Sequence, residues 1–314
     1  VLRAVGLDLM LGPDHEVEAA ARLLDAALYR PLPPPEPRPP LAIRPRRLSV
    51  TQIETWLADP YAIYARHILR LKALDELDAD PGRADLGIRI HAALAEFARR
   101  FPRELPANAD EVLLAIGRQS IGPVLSRPGA RAFWWPRFER IVRWLIAEET
   151  THRAGVVESL SERPGLLTLF GPGGPFELTA TADRIDRLAE GGFLLVDYKT
   201  GAVPKKKKIL AGFAPQLPLE GAILRAGSFG AVNGMPKALQ YWRLGGGYPA
   251  GERRAIDDGD PGALIDRAIE RLQALIERFD DPATPYLAMP MREWEPRYSD
   301  YRHLERVNQS EAEE

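Results

Sequence analysis

Hydrophobic and polar positions recur along this chain with two different periods, and each period predicts its own kind of element. Apolar residues at helical spacing predict helices over 14–29, 84–101, 110–116, 133–150 and 261–279. Alternation of β-branched and aromatic residues predicts strands over 176–188, 193–199 and 238–244. Ser49 and Gln52 form a capping box that begins another helix, which Pro60 interrupts, and Pro215 begins one over 216–225. This mixture indicates an α/β protein.

A proline-rich run over 31–40 separates the beginning of the chain from the rest. Such a run is typical of a semi-rigid spacer, with an SH3-type ligand as the alternative. We therefore predict that residues 1–47 are the tail of a preceding region with its linker, that 48–306 form one domain, and that 307–314 are a disordered tail. Because Val1 falls inside a pattern, we expect the chain to be part of a longer polypeptide.

The composition excludes several kinds of functional site. Of 314 residues, 45% are hydrophobic and 27% charged, as in ordinary globular proteins. Cysteine is absent, which excludes disulfides, thiolate zinc sites and iron–sulfur clusters and agrees with a cytoplasmic location. No apolar run predicts a membrane span. The formal net charge is −2, so a nucleic-acid site would have to be a local basic patch.

Charged side chains follow an apolar run at the end of the predicted strand over 193–199. Since side chains alternate along a strand, Asp197 and Lys199 share one face and Tyr198 points to the other. A buried pair of this kind needs a compensating partner, and a metal ion or a phosphate would be suitable. A salt-bridged strand end is the more common explanation of an isolated Asp-x-Lys triplet.

A predicted hairpin places a second carboxylate beside the first. Residues 189–191 fit a three-residue loop that pairs Leu188 with Gly192, with Gly191 in the left-handed position. Counting back along both strands sets Asp183 directly opposite Asp197, where Cβ atoms are about 4.5–5.5 Å apart. Two carboxylates at that distance repel each other, and a divalent cation relieves the repulsion. We therefore expect Asp183 and Asp197 to share a metal.

Three weaker patterns provide further candidates. His91 is the ionisable group on the apolar stripe of the 84–101 helix, where a core histidine is the usual explanation. Arg137 and Arg140 are interleaved with tryptophans, so they could contact DNA phosphates or simply form the solvated face of a packed helix. Lys205, Lys206, Lys207 and Lys208 follow the candidate strand and suit either a DNA backbone or a solvated loop.

Read in order, the markers form a recognisable series: Gly87-Ile88-Arg89-Ile90-His91, Asp183, Asp197-Tyr198-Lys199 and Gln216. The series resembles the PD-(D/E)xK nuclease superfamily and its RecB-like branch, whose motifs are G-x-x-x-H, D, D-x-K and Q-x-x-x-Y. The sequences of 48–56, 197–201 and 215–220 are similar to the C-terminal nuclease domain of AddB-type double-strand break repair subunits, and the resemblance covers about residues 48–306. It implies a restriction-endonuclease-like core, with a central mixed β-sheet flanked by helices and a large helical portion. It also implies that residues 1–47 end a helicase-like region.

The resemblance also implies a role for each marker. The implied ligands of Mg²⁺ or Mn²⁺ are His91, Asp183, Asp197 and the backbone carbonyl of Tyr198. The metal would polarise the scissile phosphate and activate a water molecule. Lys199 would orient that water and stabilise the developing charge, while Gln216 would position the lysine, the water or the DNA. This makes His91 a ligand instead of a core histidine.

Two positions depart from the family pattern. The first cysteine of the iron–sulfur cluster found in related domains corresponds to Asp59 before Pro60, so we expect no cluster. The motif tyrosine is replaced by Glu220, which leaves its DNA-orienting role open.

The sequence therefore predicts a metal-dependent (exo)deoxyribonuclease in recombinational double-strand break repair. Its substrate would be single-stranded DNA produced with an AddA-type helicase–nuclease subunit as partner. The alternatives are a catalytically silent nuclease-like scaffold that binds DNA, or a protein-interaction module whose acidic pair is structural.

Overall fold

A mixed β-sheet forms the centre of the molecule. The computed structural model describes residues 32–74, 82–230, 232–256, 260–288 and 299–306. Its strands are β1 Arg47–Ser49, β2 Val156–Gly171, β3 Gly174–Leu188, β4 Phe193–Lys199, β5 Pro236–Arg243 and β6 Glu252–Ala255. Hydrogen-bonded neighbours follow the order β1-β3-β4-β5-β6. Strand β2 pairs along the edge of β3 opposite to the one that β1 and β4 share. The pairs β1–β3 and β4–β5 are parallel and the others antiparallel, which confirms the predicted mixed sheet.

Helices precede the long hairpin and alternate with the later strands. They are α1 Val50–Ala58, α2 Pro60–Ile63, α3 Arg83–Arg100, α4 Ala109–Leu125, α5 Pro128–His152, α6 Lys206–Leu210, α7 Gln216–Arg225, α8 Pro261–Phe279 and α9 Arg302–Glu305. A π-helical turn, Tyr64–Ile68, continues α2. In the described ranges, no helix combines the length and apolar character needed to cross a membrane. The predicted helix over 14–29 and the predicted tail 307–314 lie outside the described residues.

The two faces of the sheet are covered by different helices. Leu195 and Leu239 pack into a core that includes side chains of α1, α7 and α8. Leu194, Val196 and Tyr198 pack into a second core with α3, α4 and α5. Neighbouring residues of β4 thus enter opposite cores, as the alternation of side chains along a strand requires. The strand is therefore buried on both faces as predicted, and Tyr198 points away from the face to which Leu195 and, by the same alternation, Asp197 belong.

The hairpin between β3 and β4 has the predicted register. The Leu188 N–H donates to the Gly192 carbonyl at 3.0 Å, and Gly191 has a φ of +86°. Arg184 pairs with Val196, so the same register continued by one residue sets Asp183 opposite Asp197. A loop of another length would have turned Asp183 to the other face. The turn sequence therefore determines how the two carboxylates face each other.

Several elements differ from the predicted ones. The strands β1, β2 and β6 were not predicted: β1 has three residues, β2 contains Pro164 and Gly165, and β6 is exposed and charged. The helix predicted over 110–116 extends to Leu125, and the one over 133–150 begins at Pro128. Within α4, Gly117 lies so close to the Phe138 ring that a Cβ atom would overlap it. Close packing of α4 on α5 therefore favours a residue that local propensity disfavours in a helix.

Part of the predicted linker is packed against the domain. Arg44 is buried and donates to the backbone carbonyls of Phe279, at 2.7 Å, and Pro282, at 2.9 Å. The Tyr286 N–H donates to the Pro37 carbonyl at 2.9 Å. Residues 37–44 are thus fastened to the end of α8, and the domain boundary at residue 48 stays a prediction.

Candidate active site

The two predicted carboxylates meet where the β3–β4 hairpin opens. Asp183 Oδ2 accepts a hydrogen bond from the backbone N–H of Tyr198 at 2.8 Å. Asp197 is buried, with 3% of its surface exposed. Burial, followed by the field of Asp183, raises the pKa of Asp197 to about 6 even though Lys199 opposes the shift. The two carboxylates therefore lie close enough to repel each other, as the register predicts.

Lys199 and Gln216 complete a hydrogen-bonded group around Asp197. The Lys199 ammonium lies 2.8 Å from Asp197 Oδ2 and donates to Gln216 Oε1 at 2.9 Å. The Gln216 amide nitrogen donates to Asp197 Oδ1. Burial tends to lower the pKa of Lys199, but the Asp197 carboxylate outweighs it and the pKa is raised. Lys199 is therefore a fixed positive charge at neutral pH.

His91 approaches the same carboxylates from α3. Its Nδ1 lies 3.4 Å from Asp183 Oδ2, so the structure brings the predicted imidazole to the predicted acidic pair. Burial tends to lower the pKa of His91, and the hydrogen bond and charge of Asp183 raise it above its ordinary value. Gly87, one turn earlier, faces Thr200: a Cβ atom at Gly87 would lie 2.8 Å from Thr200 Oγ1. The missing side chain lets α3 approach the end of β4.

The donor atoms suit a divalent cation, although a closed set of ligands is not formed. Over the described ranges, no three histidine, aspartate or glutamate side chains converge closely enough to hold a metal ion. Asp183 Oδ2 is engaged by the Tyr198 N–H, and Asp197 Oδ1 by Lys199 and Gln216. Asp197 Oδ2 is buried and forms no hydrogen bond of acceptable geometry, even to the ammonium 2.8 Å away. Two hard carboxylates and a nearby imidazole match Mg²⁺ or Mn²⁺ chemistry.

The predicted DNA-contacting residues lie on two different helices. Lys205, Lys206 and Lys207 are exposed at the beginning of α6, whereas Lys208 is half-buried. On α5, Arg140 donates to the Gly246 carbonyl at 2.6 Å and lies 5.8 Å from the Tyr248 ring centre. Arg140 thus packs against the loop after β5, in agreement with the packed-helix interpretation. A role of Arg140 in DNA binding stays a prediction. Arg137 packs through its backbone against Gly246.

Two acidic residues near the site were missed by sequence reasoning. Glu54 in α1 lies in the field of Lys208 and Lys199 and accepts a hydrogen bond from the backbone N–H of Gln216. Glu162 in β2 has a φ of +49° and lines a cavity of about 590 Å³ together with His91 and Asp183. Glutamates beside an apolar helix face are common, so the sequence around Glu54 does not predict a site residue. Glu162 lies in a strand that was not predicted.

Comparison with known proteins assigns a family to most of the chain. The family model described as PD-(D/E)XK nuclease superfamily matches residues 47–298. An uncharacterized protein of Rickettsia bellii is 29% identical over 185 residues, a match that covers 59% of this chain and 22% of that protein. A subunit of an ATP-dependent helicase/deoxyribonuclease from Pelotomaculum thermopropionicum is 30% identical over 236 residues, covering 64% of this chain and 20% of that protein. The chain spans about a fifth of the length of these relatives.

The family match and the architecture agree. The matched residues include β1–β6 and all the candidate site residues, and a mixed six-stranded sheet between two layers of helices is a restriction-endonuclease-like fold. With the match covering most of its length, the chain belongs to the PD-(D/E)XK nuclease superfamily.

Proposed function

We propose that the chain is a metal-dependent deoxyribonuclease domain that hydrolyses phosphodiester bonds. The observation that carries the proposal is the meeting of Asp183, Asp197 and Lys199, with Gln216 bonded to the last two and His91 within 3.4 Å of Asp183. Divalent metals are general in this superfamily. A salt-bridged strand end would account for Lys199 on Asp197, but it would not need a second carboxylate and an imidazole beside that pair.

Each residue has a distinct role in the proposed reaction. Asp183, Asp197, His91 and the Tyr198 carbonyl would hold Mg²⁺ or Mn²⁺, which supplies Lewis acidity to the scissile phosphate when bound. Lys199 stays protonated and faces partly to solvent, with 27% of its side chain exposed. It can therefore orient the attacking water and stabilise the negative charge that develops on the phosphate oxygens. Gln216 holds Lys199 in that place.

The proposed substrate is a DNA strand that crosses the site near the exposed beginning of α6. The exposed side chains of Lys205, Lys206 and Lys207 would neutralise phosphates there, and Arg137 and Arg140 would extend the basic surface on α5. Because the molecule as a whole carries a formal charge of −2, such attraction has to be local.

The biological setting is proposed from the relatives. One of them is named as a subunit of an ATP-dependent helicase/deoxyribonuclease, and the chain covers 20% of it. We propose that this chain is the RecB-like nuclease domain of an AddB-type subunit in recombinational double-strand break repair. It would degrade single strands, as an exonuclease, that a helicase partner of AddA type produces.

A nuclease assay tests the proposal directly. End-labelled single-stranded DNA is incubated with the protein and Mg²⁺, Mn²⁺ or a chelator. We expect cleavage with either metal, none with chelator, and a loss of at least about 10²-fold in kcat for Asp197→Ala, because a proposed metal ligand is removed and Lewis-acid stabilisation is worth several kcal/mol. Asp110→Ala, an exposed change at the beginning of α4, is the matched control and should cleave like the wild type. A wild-type protein that cleaves with neither metal would contradict the proposal.

A catalytically silent DNA-binding member is the second candidate. It is favoured by two observations: Asp183 Oδ2 is engaged by the Tyr198 N–H, and the described residues form no closed three-ligand group. The two candidates differ in the behaviour of Asp197→Ala. For a nuclease this variant loses cleavage and retains DNA binding, whereas for a silent scaffold the wild type and the variant bind DNA equally and neither cleaves it.

A further inference from the structure

Gln216 begins α7, and three neighbours fix its side-chain amide. Its Oε1 accepts from Lys199 Nζ at 2.9 Å, and its Nε2 donates to Asp197 Oδ1 and, at 3.1 Å, to Glu220 Oε1. Exchanging the amide oxygen and nitrogen would set an N–H group against an ammonium and a carbonyl oxygen against carboxyl groups. The surroundings therefore determine the orientation of this amide, and the amide in turn helps determine where the Lys199 ammonium lies.

Glu220 supplies the contact that lies deepest in the protein. It follows Gln216 by one helical turn on the same side of α7 and is 2% exposed. Burying a carboxyl group costs free energy that an apolar side chain of the same size would avoid. Burial, and then the charge of Asp197, raise the pKa of Glu220 well above its ordinary value. Its hydrogen bond to Gln216 is the feature that accounts for a polar group at this position.

Glu54 holds the backbone of the same glutamine from another helix. Its carboxylate accepts a hydrogen bond from the Gln216 N–H, at a helix beginning where Pro215 offers no side-chain cap. Glu54 Oε1 is buried and lacks a hydrogen-bond partner in the described part of the chain. Burial raises the pKa of Glu54, and the charges of Lys208 and then Lys199 oppose that shift. Glu54 thus connects α1 to the beginning of α7, directly behind the lysine.

We propose that Glu54 and Glu220 are positioning residues that clamp Gln216, Glu54 at its backbone and Glu220 at its amide, and so keep the Lys199 ammonium on Asp197. Each carboxyl group acts through its contact with Gln216 and is therefore a positioning residue, not a catalytic one. The inference rests on the proposed nuclease function and deepens it by extending the site to two residues behind the acidic pair.

The first test compares two substitutions of Glu220. Glu220→Ala removes the acceptor of the amide, and we expect kcat for single-stranded DNA to fall about 10–100-fold, the usual effect of losing a group that orients a site residue. KM for DNA and Mn²⁺ affinity by calorimetry should change less than about threefold, because the clamp contacts neither. Glu220→Gln keeps the shape and an acceptor oxygen, so it should retain most of the activity.

The second test measures Lys199 directly and needs no cleavage. The protein is acetylated with limiting acetic anhydride, and modification of Lys199 is compared with that of exposed Lys237 by mass spectrometry. Loosening the clamp with Glu220→Ala or Glu54→Ala should raise the Lys199:Lys237 labelling ratio at least about threefold, since the ammonium is held less firmly by Asp197. Glu54→Gln and Glu220→Gln should leave the ratio near the wild-type value.

A matched control separates positioning from loss of stability. Leu224→Ala removes a buried side chain of the same helix, eight residues or about 12 Å of helix beyond Gln216, so it should lower the unfolding midpoint without changing the labelling ratio. The inference is overturned if Glu220→Ala leaves both kcat and the ratio unchanged, or if Leu224→Ala changes them as much. A wild-type protein that does not cleave DNA would instead overturn the proposed function, and the labelling ratio would still decide whether the clamp exists.

Discussion

Lys199 is held on one side and open on the other. Its ammonium lies 2.8 Å from Asp197 Oδ2 and 2.9 Å from Gln216 Oε1, and 5.6 Å from the centre of the Tyr241 ring. The exposed fraction of the Lys199 side chain is 27%, so a phosphate can reach the ammonium from solvent. A cation fixed in this way loses little conformational entropy when a phosphate binds, which is the advantage of a preorganised site.

Replacing Lys199 should separate catalysis from metal binding. Lys199→Met keeps the length of the side chain and removes its charge, so we expect kcat to fall about 10²–10³-fold because a charge-stabilising donor is lost. Mn²⁺ affinity, measured by calorimetry, should stay within about threefold of the wild type, because the carboxylates remain. Lys237→Met, an exposed change in β5, is the control. Equal losses of cleavage and metal affinity would contradict the role of Lys199.

At the scale of elements, a buried ion network joins β3 to α5 on the face opposite the site. Arg184 is 1% exposed and binds Glu149 of α5 as well as Asp186, at 2.7 Å. Asp186 also receives hydrogen bonds from Ser159 and His152, the latter at 2.7 Å. Burial alone would raise the pKa of Asp186, but Arg184 holds it well below its ordinary range. Arg184 directly follows Asp183, so this network anchors the strand beneath the acidic pair.

Breaking that network should destabilise the fold far more than an exposed pair would. Arg184→Met removes the cation that the buried carboxylates of Glu149 and Asp186 share, while Arg153 and His152 stay beside them. We expect the free energy of unfolding in urea to fall by about 3–5 kcal/mol. Arg187→Met on the same strand is the control: its pair with Glu158 is exposed, at 47% for the arginine, so the loss should be below about 1 kcal/mol. Similar losses of unfolding free energy for both variants would show that burial does not increase the contribution of this network to stability.

The sequence predicts the elements that are defined by local chemistry. The Ser49 capping box, the Gly191 turn and the strand over 193–199 are present as predicted, because caps, turns and buried runs are encoded by neighbouring residues. Residues brought together by tertiary packing leave no such signal. Glu54 contacts Gln216 across two helices, and β2, with Pro164 and Gly165, is a strand mainly because it pairs along β3.

At the scale of the whole molecule, the two ends of the described domain are fastened by different chemistry. Arg44 donates hydrogen bonds to the backbone carbonyls of Phe279, the last residue of α8, and Pro282. Near the other end, Glu305 of α9 is buried and shares a hydrogen bond with Asp59, which lies between α1 and α2. Two buried carboxyl groups can share a bond only while one of them carries a proton. Burial, and then Asp59, raise the pKa of Glu305 to about 7.

This shared proton predicts a pH dependence at the end of the domain. A glutamate whose pKa is higher folded than unfolded stabilises the fold fully below its unfolded pKa of about 4.5, and this contribution is lost as the pH rises through about 7. Hydrogen exchange of residues 302–305, corrected for its intrinsic pH dependence, should therefore show falling protection between pH 5 and 8. Glu305→Gln should flatten that change, and Glu277→Gln should not. Identical pH profiles for Glu305→Gln and the wild type would rule the shared proton out.

The origin of both carboxylates in one hairpin has a consequence for how the site is assembled during folding. Asp183 and Asp197 meet through a short turn at Gly191, and closing such a loop is fast and costs little chain entropy. His91 arrives from a helix far back in the chain, 92 residues before Asp183, so its contact forms only once α3 has packed on the sheet. We therefore expect the two carboxylates to meet before the imidazole joins them, in a folding chain that is acidic at this point before its site is complete.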